Sequence, residues 1–308
     1  MKIDDVKSKW SFSVGIFLVI ISALGFSAKS IFVKLAYQES TNPILILTLR
    51  MIFSLPFFLL GIFFQRKHLP KDKNLYFQII LYGILGNYIA SIFDFYGLEH
   101  ISAGLERIIL FTYPTIVVIL SFIFLKKPLL KKEIFSLILT YGGIISIFIG
   151  EGVLLDKNNM IGILWVFLAA IAYSGFLIGS GNIIPKMGAV LYTSMAMTTA
   201  SVTVILHYTI EFSIEGIFNN STRIYLLTFF MAIISTVVPV FLLSQGIKRI
   251  GSSKSAIVGS VGPVSTIILG NIYLNEPIYI SEIIGTIVLI IGVLLVGTSK
   301  KEEGLKIK

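Results

Sequence analysis

Ten apolar runs of about twenty residues follow one another along this chain, and nothing constrains its fold more. Bounded by charges, prolines and turn residues, they occupy 13–37, 43–64, 75–97, 101–125, 132–150, 160–180, 188–208, 224–246, 252–274 and 278–298. A bilayer core about 30 Å thick takes about 20 apolar residues per helix, so these runs point to an all-α membrane protein of ten transmembrane helices. Composition agrees: of 308 residues, 56% are hydrophobic and 13% charged, against roughly a quarter charged in soluble domains. Ten helices use roughly 200 residues, which leaves no room for a soluble catalytic or nucleotide-binding domain. The first run is too long for a signal-peptide core and lacks a small-residue cleavage site, so it is expected to be a retained helix.

A net charge of +9 suggests nucleic acid in a soluble protein, but here the basic residues sit in short loops between apolar runs, where membrane topology explains them. With both termini placed in the cytoplasm, nineteen of the 25 Lys and Arg fall on that side, as the positive-inside rule requires. The reading is a multi-pass protein of the inner, cytoplasmic membrane. Cysteine is absent, which excludes disulfides and thiolate chemistry.

The chain also repeats itself. At an offset of 149 residues Ile101 pairs with Ile250, Pro114 with Pro263, Leu125 with Leu274, Pro128 with Pro277, Glu133 with Glu282 and Gly143 with Gly292. At 147 Gly15 pairs with Gly162, Val19 with Val166, Ala23 with Ala170 and Ser27 with Ser174. Prolines, glycines and glutamates carry the comparison, because Leu and Ile match by chance in such a chain. The halves are 11–150 and 160–298, five helices each, and an odd number forces them into the membrane in opposite directions. One exchange fits that inversion: Lys126–Lys127 corresponds to Asn275–Glu276, a basic turn on the expected inner side against an acidic one on the outer.

Each half ends in a proline-bearing helix, a turn and a Gly-rich final helix, and the run Ser252–Pro263 followed by Leu274-Asn-Glu-Pro277 is the most specific stretch. The chain thereby resembles paired EamA domains of the drug/metabolite transporter superfamily. One departure is Lys127, where first-half copies often carry glutamate. The resemblance implies secondary transport, often export, of amino acids or related amphiphilic metabolites, without a cofactor and without enzymatic activity.

Proline removes a backbone donor, so Pro114 and Pro263 are expected to kink their helices and to serve as paired hinges. Small residues around Pro263, among them Ser255 and Gly259, form a stripe that either admits a neighbouring helix or leaves room for substrate. Ionisable groups in lipid are functional candidates: Lys29, Arg50, Asp94, Glu106 and Arg107 all fall in the outer half of the membrane at ~1.5 Å rise per residue, where they could meet. The alternative is static ion pairing and snorkelling ends. Asn87, Ser91 and Asp94 share one helix face, and Tyr173, Ser174, Thr236, Pro239 and Gln245 are further candidates by position. A carboxylate with Tyr88 and Tyr173 could also receive an amine, so substrate polarity stays open.

No G-x-x-x-x-G-K-[ST] loop is present, which argues against ATP coupling. His68, His100 and His207 lack metal-ligand spacing, so no metal is expected. A lipid-carrier flippase of the same architecture and an intramembrane enzyme using Asp94, Glu106 and His100 are the alternatives. The expected partners are a small-molecule substrate, protons as candidate coupling ion, and membrane lipids, with no nucleic acid, in a monomer or homodimer.

Overall fold

The computed structural model describes residues 3–39, 42–126, 131–150, 157–250, 258–259 and 261–299. All regular structure among them is helical. The helices are α1 (Ile3–Tyr37), α2 (Pro43–Gln65), α3 (Lys73–Gly83), α4 (Ala90–His100), α5 (Ala103–Leu110), α6 (Tyr113–Leu125) and α7 (Lys131–Gly150). In the second half come α8 (Lys157–Met187), α9 (Ala189–Glu211), the short α10 (Glu215–Phe218), α11 (Thr222–Ala232), α12 (Val238–Ile250), α13 (Val261–Leu274) and α14 (Ile280–Ser299).

Seven stretches are long and apolar enough to cross a membrane: Phe12–Tyr37, Pro43–His68, Lys73–His100, Ala103–Phe124, Lys157–Ser180, Ala189–Glu211 and Thr222–Gly246. Val261–Leu274 and Ile280–Leu295 are shorter apolar helices, and α7 opens on Lys131, Lys132 and Glu133 before its apolar run. Large apolar side chains such as Phe64, Phe77, Ile210 and Ile272 point outward. Water tolerates no continuous surface of that kind, whereas lipid does.

Polar residues at the helix ends explain where helices begin. The Asn42 carboxamide accepts from the Ile44 and Leu45 amides at 3.0 and 3.1 Å, with Pro43 in the first turn. Ser102 and Ser221 cap α5 and α11 in the same way, each satisfying an amide that the helix cannot.

Three expected helices turn out to be composite. Between α3 and α4 the chain passes through a π segment, Ile84–Ile89, and between α11 and α12 through another, Ile233–Val237. Their starts lie 149 residues apart, the repeat offset. The run expected to be one kinked helix, 101–125, is broken at Phe111 and Thr112. Thr112 turns its amide and hydroxyl onto the Ile109 carbonyl at 3.0 and 2.7 Å. Pro114 then stands in the first turn of α6, where its missing N–H is no loss. The proline thus starts a helix instead of bending one.

Packing between helices follows the repeat with the halves exchanged. A methyl group at Gly97 of α4 would lie 3.1 Å from the Gly162 carbonyl oxygen of α8, and one at Gly246 of α12 would lie 3.3 Å from that of Gly15 in α1. Gly97 and Gly246 are equivalent at one offset, Gly162 and Gly15 at the other. Likewise a methyl at Gly143 would meet the Gly285 carbonyl at 2.7 Å, while Ser136 donates to the Gly292 carbonyl; exchanging the halves turns the first contact of α7 and α14 into the second. Finally, Lys126 and Asn275 are the two non-glycine residues with positive φ among those described, at 52° and 54°. Both end the proline-bearing helix of their half in a left-handed cap.

Candidate functional site

Lys29 of α1 is buried between two carboxylates. Its Nζ bonds Asp94 of α4 and lies 3.2 Å from Glu106 Oε1 of α5. Ser30, next along α1, donates to the other Glu106 oxygen at 2.5 Å. All four side chains are buried, Glu106 completely. Breaking such a pair strands a charge in a low-dielectric interior, so the three ionisable groups hold one another in place. Asp94 keeps one oxygen, Oδ1, without a partner.

Arg50 of α2 borders this group. It is 7% exposed, its guanidinium carbon lies 5.4 Å from the centroid of Phe95, and its Nε and Nη1 have no hydrogen-bond partner. Arg107 lies against α13: a Cβ at Gly262 would sit 3.2 Å from its Nη2, and its Nε is buried without a partner. The five charges read from the sequence therefore divide into a bonded trio of Lys29, Asp94 and Glu106, the buried Arg50 and the half-buried Arg107.

The two serines at equivalent positions make equivalent bonds. Ser27 donates to Ala23 O at 2.8 Å and to Gly262 O at 2.9 Å. Ser174 lies at 2.6 Å from Ala170 O and 3.1 Å from Tyr113 O. Gly262 and Tyr113 immediately precede Pro263 and Pro114, so the first helix of each half grips the proline-bearing helix of the other.

The remaining expected residues are placed as follows. Asn87 lies in the π segment with Nδ2 buried and without a partner, one turn from half-buried Ser91. Tyr173 joins an aromatic column, 5.2 Å from Tyr113 and 5.8 Å from Phe176 between ring centroids. Tyr88 is apart from it, bonded to His207 at 3.1 Å, and His207 in turn meets Glu211 at 2.8 Å. Tyr88 is thus bonded to His207, and both carboxylates bond Lys29. Gln245 faces Arg249 at 3.0 Å. Thr236 bonds back to the Met231 carbonyl within the second π segment, and Pro239 packs against Gly25 and receives the Ser22 hydroxyl on its carbonyl. A methyl at Gly259 would touch nothing within 4 Å, and Pro263 is buried in α13. Ser255 lies outside the described residues.

Sequence reasoning missed Glu276. Its carboxylate accepts from the Ala103 amide at 2.9 and 3.1 Å, capping α5 from the other half. The same residue lines two cavities: one of about 410 Å³ with Lys34, Tyr37, Gln38, Glu99 and Leu274, and one of about 210 Å³ that includes Ser102, Asn159 and Glu282. The hydroxyl of Tyr37, a residue of the larger cavity, donates at 2.6 Å to the carbonyl of Phe95, whose ring lies beneath Arg50. Among the described residues no three His, Asp or Glu side chains are grouped to hold a metal ion.

Two repeats of one pattern, residues 13–149 and 160–298, each match the EamA-like transporter family. The chain belongs to that family. An uncharacterized transporter of Bacillus subtilis, YcbK, is 29% identical over 280 residues, 89% of each chain. An uncharacterized transporter of Archaeoglobus fulgidus is 24% identical over 255 residues, 83% of this chain and 88% of that one. A solved crystal structure superposes with a TM-score of 0.64 over 95% of this chain and 100% of its own at 14% identity, a likeness of fold. The buried charges above therefore belong to a multi-pass membrane protein of the EamA-like transporter family.

Proposed function

We propose that the chain is a secondary transporter that exposes one midplane site alternately to the two sides of the cytoplasmic membrane. In this reading α7, α13 and α14, the last with the helix ahead of it, complete ten membrane helices, the halves are inverted relative to each other, and both termini are cytoplasmic. The single observation that carries the reading is the crossed pair of serine bonds, Ser27 to Gly262 and Ser174 to Tyr113. Each ties one half to the hinge-bearing helix of the other, so rocking the halves has to move both hinges together. The helix break ahead of Pro114, and its equivalent Pro263, supply the pivots. The Lys29, Asp94 and Glu106 trio, with Arg50, Asn87 and Ser91 beside it, supplies the polar site. Asp94 or Glu106 gives a route for coupling to protons, by exchanging Lys29 for a proton.

The family resemblance favours export of small metabolites such as amino acids. Uptake and efflux of a labelled solute panel by proteoliposomes tests the reading: saturable, protein-dependent flux of an unaltered solute supports it. A chemically changed product, or vesicles that pass no solute, overturns it. Scrambling of a labelled lipid carrier in place of solute flux would move the assignment to a flippase.

A further inference from the structure

The charge layer is incomplete in one direction. Lys29, Arg50 and Arg107 face only two carboxylates, Asp94 and Glu106, and both of those bond Lys29. Arg50 therefore stays buried with Nε and Nη1 unpartnered, which a guanidinium tolerates poorly, since it presents a planar fork of donors that matches a carboxylate. The Phe95 face beneath it offsets part of that burden but accepts no in-plane hydrogen bond. Phe95 is also the residue whose carbonyl receives the hydroxyl of Tyr37, a wall of the 410 Å³ cavity, so two side chains, Tyr37 and Phe95, separate that cavity from Arg50.

We propose that Arg50 receives the carboxylate of the transported solute, which makes the substrate class a small carboxylate-bearing metabolite and excludes lone amines and uncharged solutes. This rests on the transporter reading and adds the substrate's recognised group. A carboxylate on either edge of the guanidinium, Nε with Nη2 or Nη1 with Nη2, gives one orphaned donor its acceptor and brings the layer to three positive and three negative charges. Lys29 cannot do this while it bridges Asp94 and Glu106, and Arg107 is half-buried against Gly262.

The test uses the purified full-length protein, with monocarboxylates of two to eight carbons and the amino acids as probes, each beside its amide and its decarboxylated amine. The expected result is that at least one carboxylate raises the melting midpoint with concentration and crosses proteoliposome membranes, while its amide and amine do neither. Arg50→Gln should abolish that midpoint shift, read against the variant's own ligand-free midpoint, since the substitution also removes the contact with Phe95. Arg50→Lys, which keeps the charge without the fork, should weaken binding by on the order of tenfold. Either variant that binds the carboxylate as wild type does, or a panel in which only amines or amides bind and cross, overturns the proposal and leaves the transporter reading standing. Vesicles that pass no solute of any class overturn both.

Discussion

Ser27 and Ser174, 147 residues apart, each donate one hydrogen bond to the carbonyl four residues back on their own helix and share the same hydroxyl with the residue before the other half's proline. Loss of either hydroxyl removes a buried hydrogen bond between the halves, worth about 1 kcal/mol. Ser27→Ala and Ser174→Ala should each lower the melting midpoint modestly and slow transport more than stability explains. Because both bonds serve one rocking motion, the double substitution should slow flux by less than the product of the single effects, measured as initial rates in proteoliposomes.

Close approach of α7 and α14 predicts a sharp contrast between neighbouring glycines. Gly143 faces the Gly285 backbone oxygen, whereas a Cβ at Gly142 meets nothing within 4 Å. Gly143→Ala should destabilise the purified protein by about 1–3 kcal/mol, the usual range for overpacking. Gly142→Ala should be neutral or slightly stabilising, since alanine is the better helix former. Denaturant or thermal unfolding of the two variants in the same detergent separates them.

Removing Lys29 strands two buried carboxylates. Lys29→Met should destabilise by about 3–5 kcal/mol, and adding Asp94→Asn and Glu106→Gln should restore much of that loss by removing the uncompensated charges. Unfolding of the single and triple variants measures the recovery. If Asp94 or Glu106 also carries the coupling proton, Asp94→Asn and Glu106→Gln should abolish the response of flux to an imposed pH gradient. Flux that keeps its pH response in both variants removes proton coupling through this trio.

Glu276→Ala removes the carboxylate that holds the start of α5. The expected loss is about 1 kcal/mol, as for other helix N-terminal caps. Hydrogen exchange at the Ala103 and Gly104 amides should rise in the variant while α9 amides stay protected.

Much of the architecture is legible in the chain because lipid leaves few options. A buried Lys29 in an apolar run has to find acids, and only Asp94 and Glu106 lay at comparable depth, so their meeting follows from physics that sequence displays. The repeat offsets relate Gly97 to Gly246 and Gly15 to Gly162, but they do not show that Gly97 meets Gly162 and Gly246 meets Gly15. Other features had no such signal. The π segments at Ile84–Ile89 and Ile233–Val237 insert an extra residue into ordinary apolar runs, and composition does not register that. Thr112 ends α5 because its side chain competes for the Ile109 carbonyl, a local choice that the proline two residues later obscured. Glu276 entered the sequence reading only as half of an acidic turn, because its partners are backbone amides of the other half, which no spacing reveals.

The central claim, that the two halves are inverted across the membrane, has a direct test because the chain contains no cysteine. Lys131 and Ile280 are equivalent at the repeat offset of 149, and both are exposed at the starts of α7 and α14. Single cysteines placed at each can be labelled with a membrane-impermeant maleimide in intact cells and in inside-out vesicles. The account predicts that Lys131→Cys reacts only from the cytoplasmic side and Ile280→Cys only from the outside. Labelling of both from the same side would contradict it.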